Sequence, residues 1–138
     1  MGSLVGMIVI DASAAIEAYR DSLSTSDFDQ ILRDNTVMAP QSLGVEVVQG
    51  FRRMVRDGEI EEALAIEAIK HLGELPIVKL PFEPFVERIW ELRHNVSAHD
   101  AWYVAIAETF GIPLATTDRR LANATGPLCE FRVLSGLG

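Results

Sequence analysis

Four acidic residues of this chain stand where carboxylates can do chemistry. Asp11 closes the apolar run Ile8-Val9-Ile10, and Asp118 follows Ala115-Thr116-Thr117. Asp100 lies in Ser97-Ala98-His99-Asp100-Ala101-Trp102-Tyr103, and Glu46 lies in Leu43-Gly44-Val45-Glu46-Val47-Val48. Each has an ordinary local reading. Asp11 and Asp118 sit between a β-branched run and a helix-forming segment, where Asp is a good N-cap. Ser97 and Asp100 have the spacing of a capping box. Glu46 is the hardest to assign to local structure. It is expected inside a long apolar helix, too deep to cap it, and a buried unpaired carboxylate is costly. It is therefore neutral, paired with a base such as Arg53 or Arg93, or bound to a metal ion.

Oxygen-only ligands favour a hard cation such as Mg²⁺ or Mn²⁺. Carboxylates with such ions suit phosphodiester hydrolysis: one ion acidifies the attacking water and a second can stabilise the leaving oxygen. The hydroxyls of Ser13 and Thr117 are placed to orient metal-bound water or the scissile phosphate, or to do local turn and capping work. Arg93, Arg119 and Arg120 fall near the acids in the pattern and could hold RNA phosphates. Their simpler role is solvated surface charge, or a salt bridge to Glu91 or Glu130. His99 titrates near neutrality and could act as a base, but lining a groove or capping a helix is the plainer reading. His71 and His94 form no zinc signature. Asp27 and Asp29 decorate a helix start.

The elements that must position these groups alternate between short strands and amphipathic helices. Strands are expected at Met7–Asp11, Thr36–Ala39, Ile77–Leu80, Pro113–Thr117 and Phe131–Leu134. Helices are expected at Ala14–Arg20, Asp27–Arg33, Gln41–Arg56, Glu59–Leu75, Phe82–His94, Ser97–Phe110 and Arg119–Ala124, with Gly111 closing the sixth. Continuously apolar strands separated by helices imply an α/β three-layer sandwich. Its central sheet has about five mostly parallel strands, with helices on both faces. Ligands of such sheets gather at the carboxyl ends of the strands. Asp11 and Asp118 would emerge there side by side and repel unless a cation lay between them. Phe51, Met54, Phe85 and Trp90 sit on apolar faces and are expected in the core, or in part on an interface.

Composition bounds the rest. The 138 residues are 49% hydrophobic and 23% charged, as expected of one globular domain with a real core. A formal net charge of −8 argues mildly against a nucleic-acid binder. That objection weakens if the acids are concentrated at a cation site. The lone Cys129 allows no intrachain disulfide and no cysteine zinc site. The apolar run before Ala12-Ser13-Ala14 has no basic residue ahead of it and is short for a signal peptide. A cytoplasmic protein is expected, with no membrane span and unused glycosylation sequons at Asn95 and Asn123. Met7 is a candidate natural start, with residues 1–6 as an extension. No glycine-rich phosphate loop is present, which disfavours ATP- or NAD-driven chemistry.

Together the segments Val9-Ile10-Asp11-Ala12-Ser13-Ala14, the helix with Glu46, Ser97 through Glu108, and Thr116-Thr117-Asp118-Arg119-Arg120-Leu121 resemble PIN-domain proteins. Among these they most resemble the VapC toxins of bacterial type II toxin–antitoxin systems. The resemblance covers almost the whole chain, with its elements in the right order. It implies an endoribonuclease using Mg²⁺ or Mn²⁺, with metal ligation by Asp11, Glu46, Asp100 and Asp118 and with Thr117 or Ser13 assisting. It also implies a homodimer, structured RNA substrates such as tRNA, and inhibition by a VapB-like antitoxin whose C-terminal segment occupies the groove. His99 stands where relatives often carry an aromatic residue, which bears on groove shape and RNA preference. Two other readings compete. One is a phosphoacceptor receiver module, disfavoured because no Lys closes the late strand Val133-Leu134-Ser135. The other is a non-catalytic interaction protein on the same scaffold.

Overall fold

The computed structural model of the protein describes residues 6–20 and 25–134. Five strands form one sheet in the order β3-β2-β1-β4-β5. They are β1 (Gly6–Ile10), β2 (Asn35–Pro40), β3 (Ile77–Leu80), β4 (Leu114–Thr116) and β5 (Phe131–Val133). All neighbours pair in parallel. This follows from the sequence pattern, because strands buried on both faces have no polar alternation to display. Residues 1–5 of the expected extension lie outside the described residues, while Gly6 already belongs to β1.

Seven helices connect the strands. They are α1 (Ala12–Arg20), α2 (Thr25–Asp34), α3 (Leu43–Arg56), α4 (Glu62–Glu74), α5 (Val86–Glu91), α6 (Ala98–Phe110) and α7 (Arg119–Ala122). The core joins Ile8, Val9 and Ile10 of β1 and Leu114 and Ala115 of β4 to the inward faces of α1, α3 and α6. Helix α6 packs on β1, β2 and β4, and α5 packs beside it. Helix α1 packs on α3 and β4, and α3 in turn packs on α4. Ala101, Ala105 and Ala107 are fully buried on α6. Their small side chains let that helix lie close to the sheet. Gly50 does the same for α3: a Cβ there would stand 2.2 Å from Ile16 Cδ1 of α1.

Three expected helices are shorter than the apolar pattern suggests. Helix α3 begins at Leu43 rather than Gln41, because Gln41 and Ser42 form the turn that leaves β2. Helix α4 begins at Glu62 rather than Glu59. Gly58, at φ 75°, turns the chain after α3, and the extended Glu61 serves as N-cap. The segment expected as one helix over Phe82–His94 splits into a 3-10 turn at Glu83–Phe85, with Pro84 in its first positions, and the short α5. The chain then turns through Leu92, whose carbonyl accepts from the amides of both Asn95 and Val96. In so short a helix Phe85, Ile89 and Leu92 take the inward positions. Trp90 therefore faces out, 65% exposed, contrary to its expected core role, with the Arg93 guanidinium stacked 4.2 Å from its ring centre. Phe51, Met54 and Phe85 are buried as expected.

Candidate active site

The carboxyl edge of the sheet collects the four acids by simple connectivity. Asp11 follows β1 directly, and Asp118 lies two residues past β4, which pairs with β1. Glu46 occupies the first turn of α3, which leaves β2. Asp100 occupies the first turn of α6, whose far end feeds β4.

Asp11 is 5% exposed and its carboxylate is held on both oxygens. Ser13 Oγ donates to Oδ1 at 2.6 Å, and the Ala14 amide donates to the same oxygen at 2.9 Å. Thr116 Oγ1 donates to Oδ2 at 2.5 Å. Burial pushes the Asp11 carboxyl above its ordinary value. The bonds from Ser13, Thr116 and Ala14 oppose that rise, and the charge of Asp100 adds to it. Asp11 thus does both jobs read from the sequence: it caps the start of α1 and leaves a carboxylate at the sheet edge.

Asp100 is half-buried, and burial is again the first cause raising its carboxyl. Ser97 lowers it, Asp118 raises it and the nearby His99 lowers it. Ser97 caps α6 by accepting from the Asp100 amide at 3.1 Å, as the capping-box spacing implied. Asp118 is exposed and caps α7, accepting from the amides of Arg120 and Leu121. In both cases the capping role and the placement at the sheet edge coexist.

Glu46 corrects the sequence reading. It is not deep in α3 but on its first turn, because the helix starts two residues later than expected. It is half-buried, and its partner is Ser42 Oγ, which donates to Oε2 at 2.5 Å. Neither Arg53 nor Arg93 is paired with it among the described residues. Ser42 stands at the N-cap position yet spends its hydroxyl on Glu46, leaving the cap without a side-chain bond.

The hydroxyl on Asp11 belongs to Thr116 and not to Thr117. Thr116 is fully buried. Its Oγ1 also accepts from the Asp118 amide at 3.0 Å and lies 3.3 Å from Ser13 Oγ. Thr117 contributes its amide, which donates to Ser13 Oγ at 3.1 Å. Ser13, Thr116 and the Thr117 amide thus form a neutral cradle around Asp11. The register could have revealed Thr116: Val9 pairs with Leu114 and Ile10 with Ala115, so the next step sets Asp11 beside Thr116.

A groove of about 440 Å³ opens beside Asp100 and Asp118, lined also by Arg93, His94 and Arg120. Arg93 and Arg120 therefore share the groove with Asp100 and Asp118. His99 lies close enough to act on the charge of Asp100 but does not line the groove, and neither does Arg119. Among the described residues, no three acidic, histidine or cysteine side chains converge tightly enough to enclose an ion as they stand. The donor chemistry nonetheless fits a hard cation. All donors are oxygen, and Asp11 and Asp100 are both held above their ordinary values by burial and by other carboxylates, a cost that a cation offsets.

The PIN domain family profile matches residues 8–127. The chain belongs to the PIN domain family. It is 35% identical over 129 residues to Ribonuclease VapC12 of Mycobacterium tuberculosis, covering 94% of this chain and all of that protein. It is 38% identical over 128 residues to Ribonuclease VapC1 of the same organism, covering 91% of this chain and 96% of that one. The fold is also that of PAE2754 from Pyrobaculum aerophilum, with a TM-score of 0.67 at 18% identity over 94% of this chain and 87% of that one.

Arg88 of α5 donates through Nε to Glu108 Oε1 at 2.7 Å and through Nη2 to Oε2 at 3.1 Å. Glu108 also accepts from the Leu128 amide at 2.7 Å, and Arg88 donates to the Gly126 carbonyl at 3.0 Å. This cluster ties the loop before β5 to α5 and α6, away from the acids. Sequence reasoning missed Arg88 entirely, because nothing in local spacing links it to a residue twenty positions on. Among the described residues no helix is long and apolar enough to cross a membrane.

Proposed function

We propose that this PIN-domain chain is a Mg²⁺- or Mn²⁺-dependent endoribonuclease that hydrolyses RNA phosphodiester bonds at Asp11, Glu46, Asp100 and Asp118. The observation that carries the reading is geometric. Asp11 and Asp118 follow the paired strands β1 and β4, Asp100 shares a groove with Asp118, and the charge of Asp100 adds to the rise of the Asp11 carboxyl. Carboxylates do not gather at partly buried positions without a compensating charge, and oxygen donors select a hard cation. The similarity to curated VapC ribonucleases over most of the chain supports RNA as the substrate class.

When bound, a divalent cation neutralises charge on the scissile phosphate and acidifies the attacking water. The chain's own residues do the rest. Ser13 and Thr116 fix the carboxylate plane of Asp11, and the Ala14 amide keeps one of its oxygens in place. Asp100 and Asp118 present their carboxylates from capped helix starts, where rotation is restrained. Arg93 and Arg120 flank the groove and attract the phosphates of the strand. Thr117 contributes its backbone amide to Ser13 Oγ, and its hydroxyl remains a candidate for orienting metal-bound water or the phosphate.

As the VapC resemblance implies, the chain acts as the toxin of a toxin–antitoxin pair. A cognate VapB-like antitoxin covers its groove, it forms a homodimer, and structured RNA such as tRNA is its target. The PIN family match leaves the receiver-module reading without support. The direct test is RNA cleavage by purified protein with Mg²⁺ or Mn²⁺. Wild type is expected to cleave and Asp100→Asn to be inactive while remaining folded. Equal cleavage by a rigorously purified Asp100→Asn would reject the assignment.

A further inference from the structure

Tyr103 lies one turn beyond Asp100 on α6 and is 1% exposed. Its hydroxyl is buried and completes no hydrogen bond of normal geometry. Leaving a buried hydroxyl unpaired costs about 1–3 kcal/mol, and a phenylalanine would fill the same space without that cost. The surroundings give the hydroxyl a purpose. Glu46 is the carboxylate that acts on it most strongly, followed by Asp11 and, more weakly, Asp100. The charges of three of the four acids thus act on a single neutral donor. Glu46 is less restrained than Asp11: it accepts from Ser42 on Oε2, whereas Asp11 is held on both oxygens.

We propose that Tyr103 is a positioning residue whose hydroxyl donates to Glu46 and holds that carboxylate toward Asp11 and Asp100, so that the four acids close on a divalent cation. The proposal rests on the metal-site reading above. Ser42 holds Glu46 from the N-cap of α3, and Tyr103 holds it from α6. The hydroxyl donates without transferring its proton, since burial and the surrounding negative charges, Glu46 foremost, push its ionisation far above neutrality. It therefore adds no charge to a site already crowded with anions. Partners of metal ligands that act in this way commonly change metal affinity about 10–100-fold when removed.

The test is Mg²⁺ affinity by calorimetry on wild type, Tyr103→Phe, Glu46→Gln and the double variant, with melting measured in chelator. Tyr103→Phe is expected to bind Mg²⁺ about 10-fold more weakly while melting at or above the wild-type temperature without metal. In the Glu46→Gln background, Tyr103→Phe is expected to cause no further loss. Unchanged affinity in Tyr103→Phe overturns the proposal, as does a loss of equal size in the Glu46→Gln background. Wild type that binds no Mg²⁺ would overturn the metal site itself, a separate result. A second readout needs no variant that must fold. The chain has two tyrosines, Tyr19 and Tyr103, so ring-labelled protein gives two phenol carbon signals. Saturation with Mg²⁺ is expected to move the Tyr103 signal and leave that of Tyr19, whose hydroxyl is bonded to His71, in place. A stationary Tyr103 signal at saturation contradicts the proposal.

Discussion

Thr116 and Asp11 stand side by side at the ends of paired parallel strands, and the buried hydroxyl of Thr116 donates to Asp11 Oδ2. A neutral donor in that place favours the ionised carboxylate, against the larger effect of burial, without cancelling its charge. Thr116→Val keeps the shape of the side chain and removes the donor. It is expected to reduce RNA cleavage about 10–100-fold, the usual cost of losing a group that orients a ligand. It is also expected to destabilise the fold by about 1–2 kcal/mol, because the Asp118 amide loses its acceptor. Cleavage rates and urea melts of the variant check both parts.

Asp11 links function to stability with a definite sign. Its folded carboxyl is raised by burial, so the folded state holds the proton more tightly than the unfolded state does. In chelator, stability is greatest below the ordinary carboxylate value and falls as pH rises through the raised folded value. Asp11→Asn removes that ionisation and is expected to flatten this part of the pH–stability curve. It is also expected to abolish cleavage. Chemical denaturation across the acid range in chelator, with wild type and variant in parallel, measures the difference.

Arg93 and Arg120 line the groove beside Asp100 and Asp118. If they meet phosphates, each Ala variant should weaken RNA binding similarly for all sequences and reduce the slope of log K against log salt by about 0.7 for a single strand. Arg119, which does not line the groove, is expected to change that slope little. Salt titrations of binding to a short RNA, with an inactive variant as background, test the distinction.

The Arg88–Glu108 pair is structural, so its loss should separate stability from chemistry. Glu108 is 16% exposed in its side chain and also accepts the Leu128 amide. Glu108→Ala removes two bonds of the Arg88 guanidinium, leaving those to Glu91 and the Gly126 carbonyl, and gives the exposed Leu128 amide to water. It is expected to cost about 1–2 kcal/mol, between an exposed pair and a fully buried one, because Arg88 remains partly solvated. The rate per folded molecule should stay near wild type, as measured by cleavage normalised to the folded fraction.

Much of this architecture was legible in the sequence, and the exceptions share a cause. The runs Ile8-Val9-Ile10 and Leu114-Ala115 announced buried parallel strands, and that alone carried Asp11 and Asp118 to one edge. Ser97 with Asp100 announced a helix start that the structure contains. The errors arose where tertiary contact overrode local pattern. Glu46 was read as deep in a helix because the apolar run began before the turn at Gln41 and Ser42. Trp90 was read as core because its spacing is helical, but α5 is too short to bury it alongside Ile89 and Leu92. Thr116 escapes sequence reading because its register with Asp11 exists only between strands. The Tyr103 hydroxyl and the Arg88–Glu108 pair depend on which elements face each other, which no local spacing encodes.

The account stands on one claim, that Asp11, Glu46, Asp100 and Asp118 together hold a divalent cation. The most direct measurement is the anomalous scattering of Mn²⁺ in crystals of the protein grown with that ion. The expected result is a strong peak bridged by the carboxylates of those residues, absent from crystals of Asp11→Asn grown the same way. A peak seated elsewhere, or none at all in protein that cleaves RNA with Mn²⁺, would contradict it.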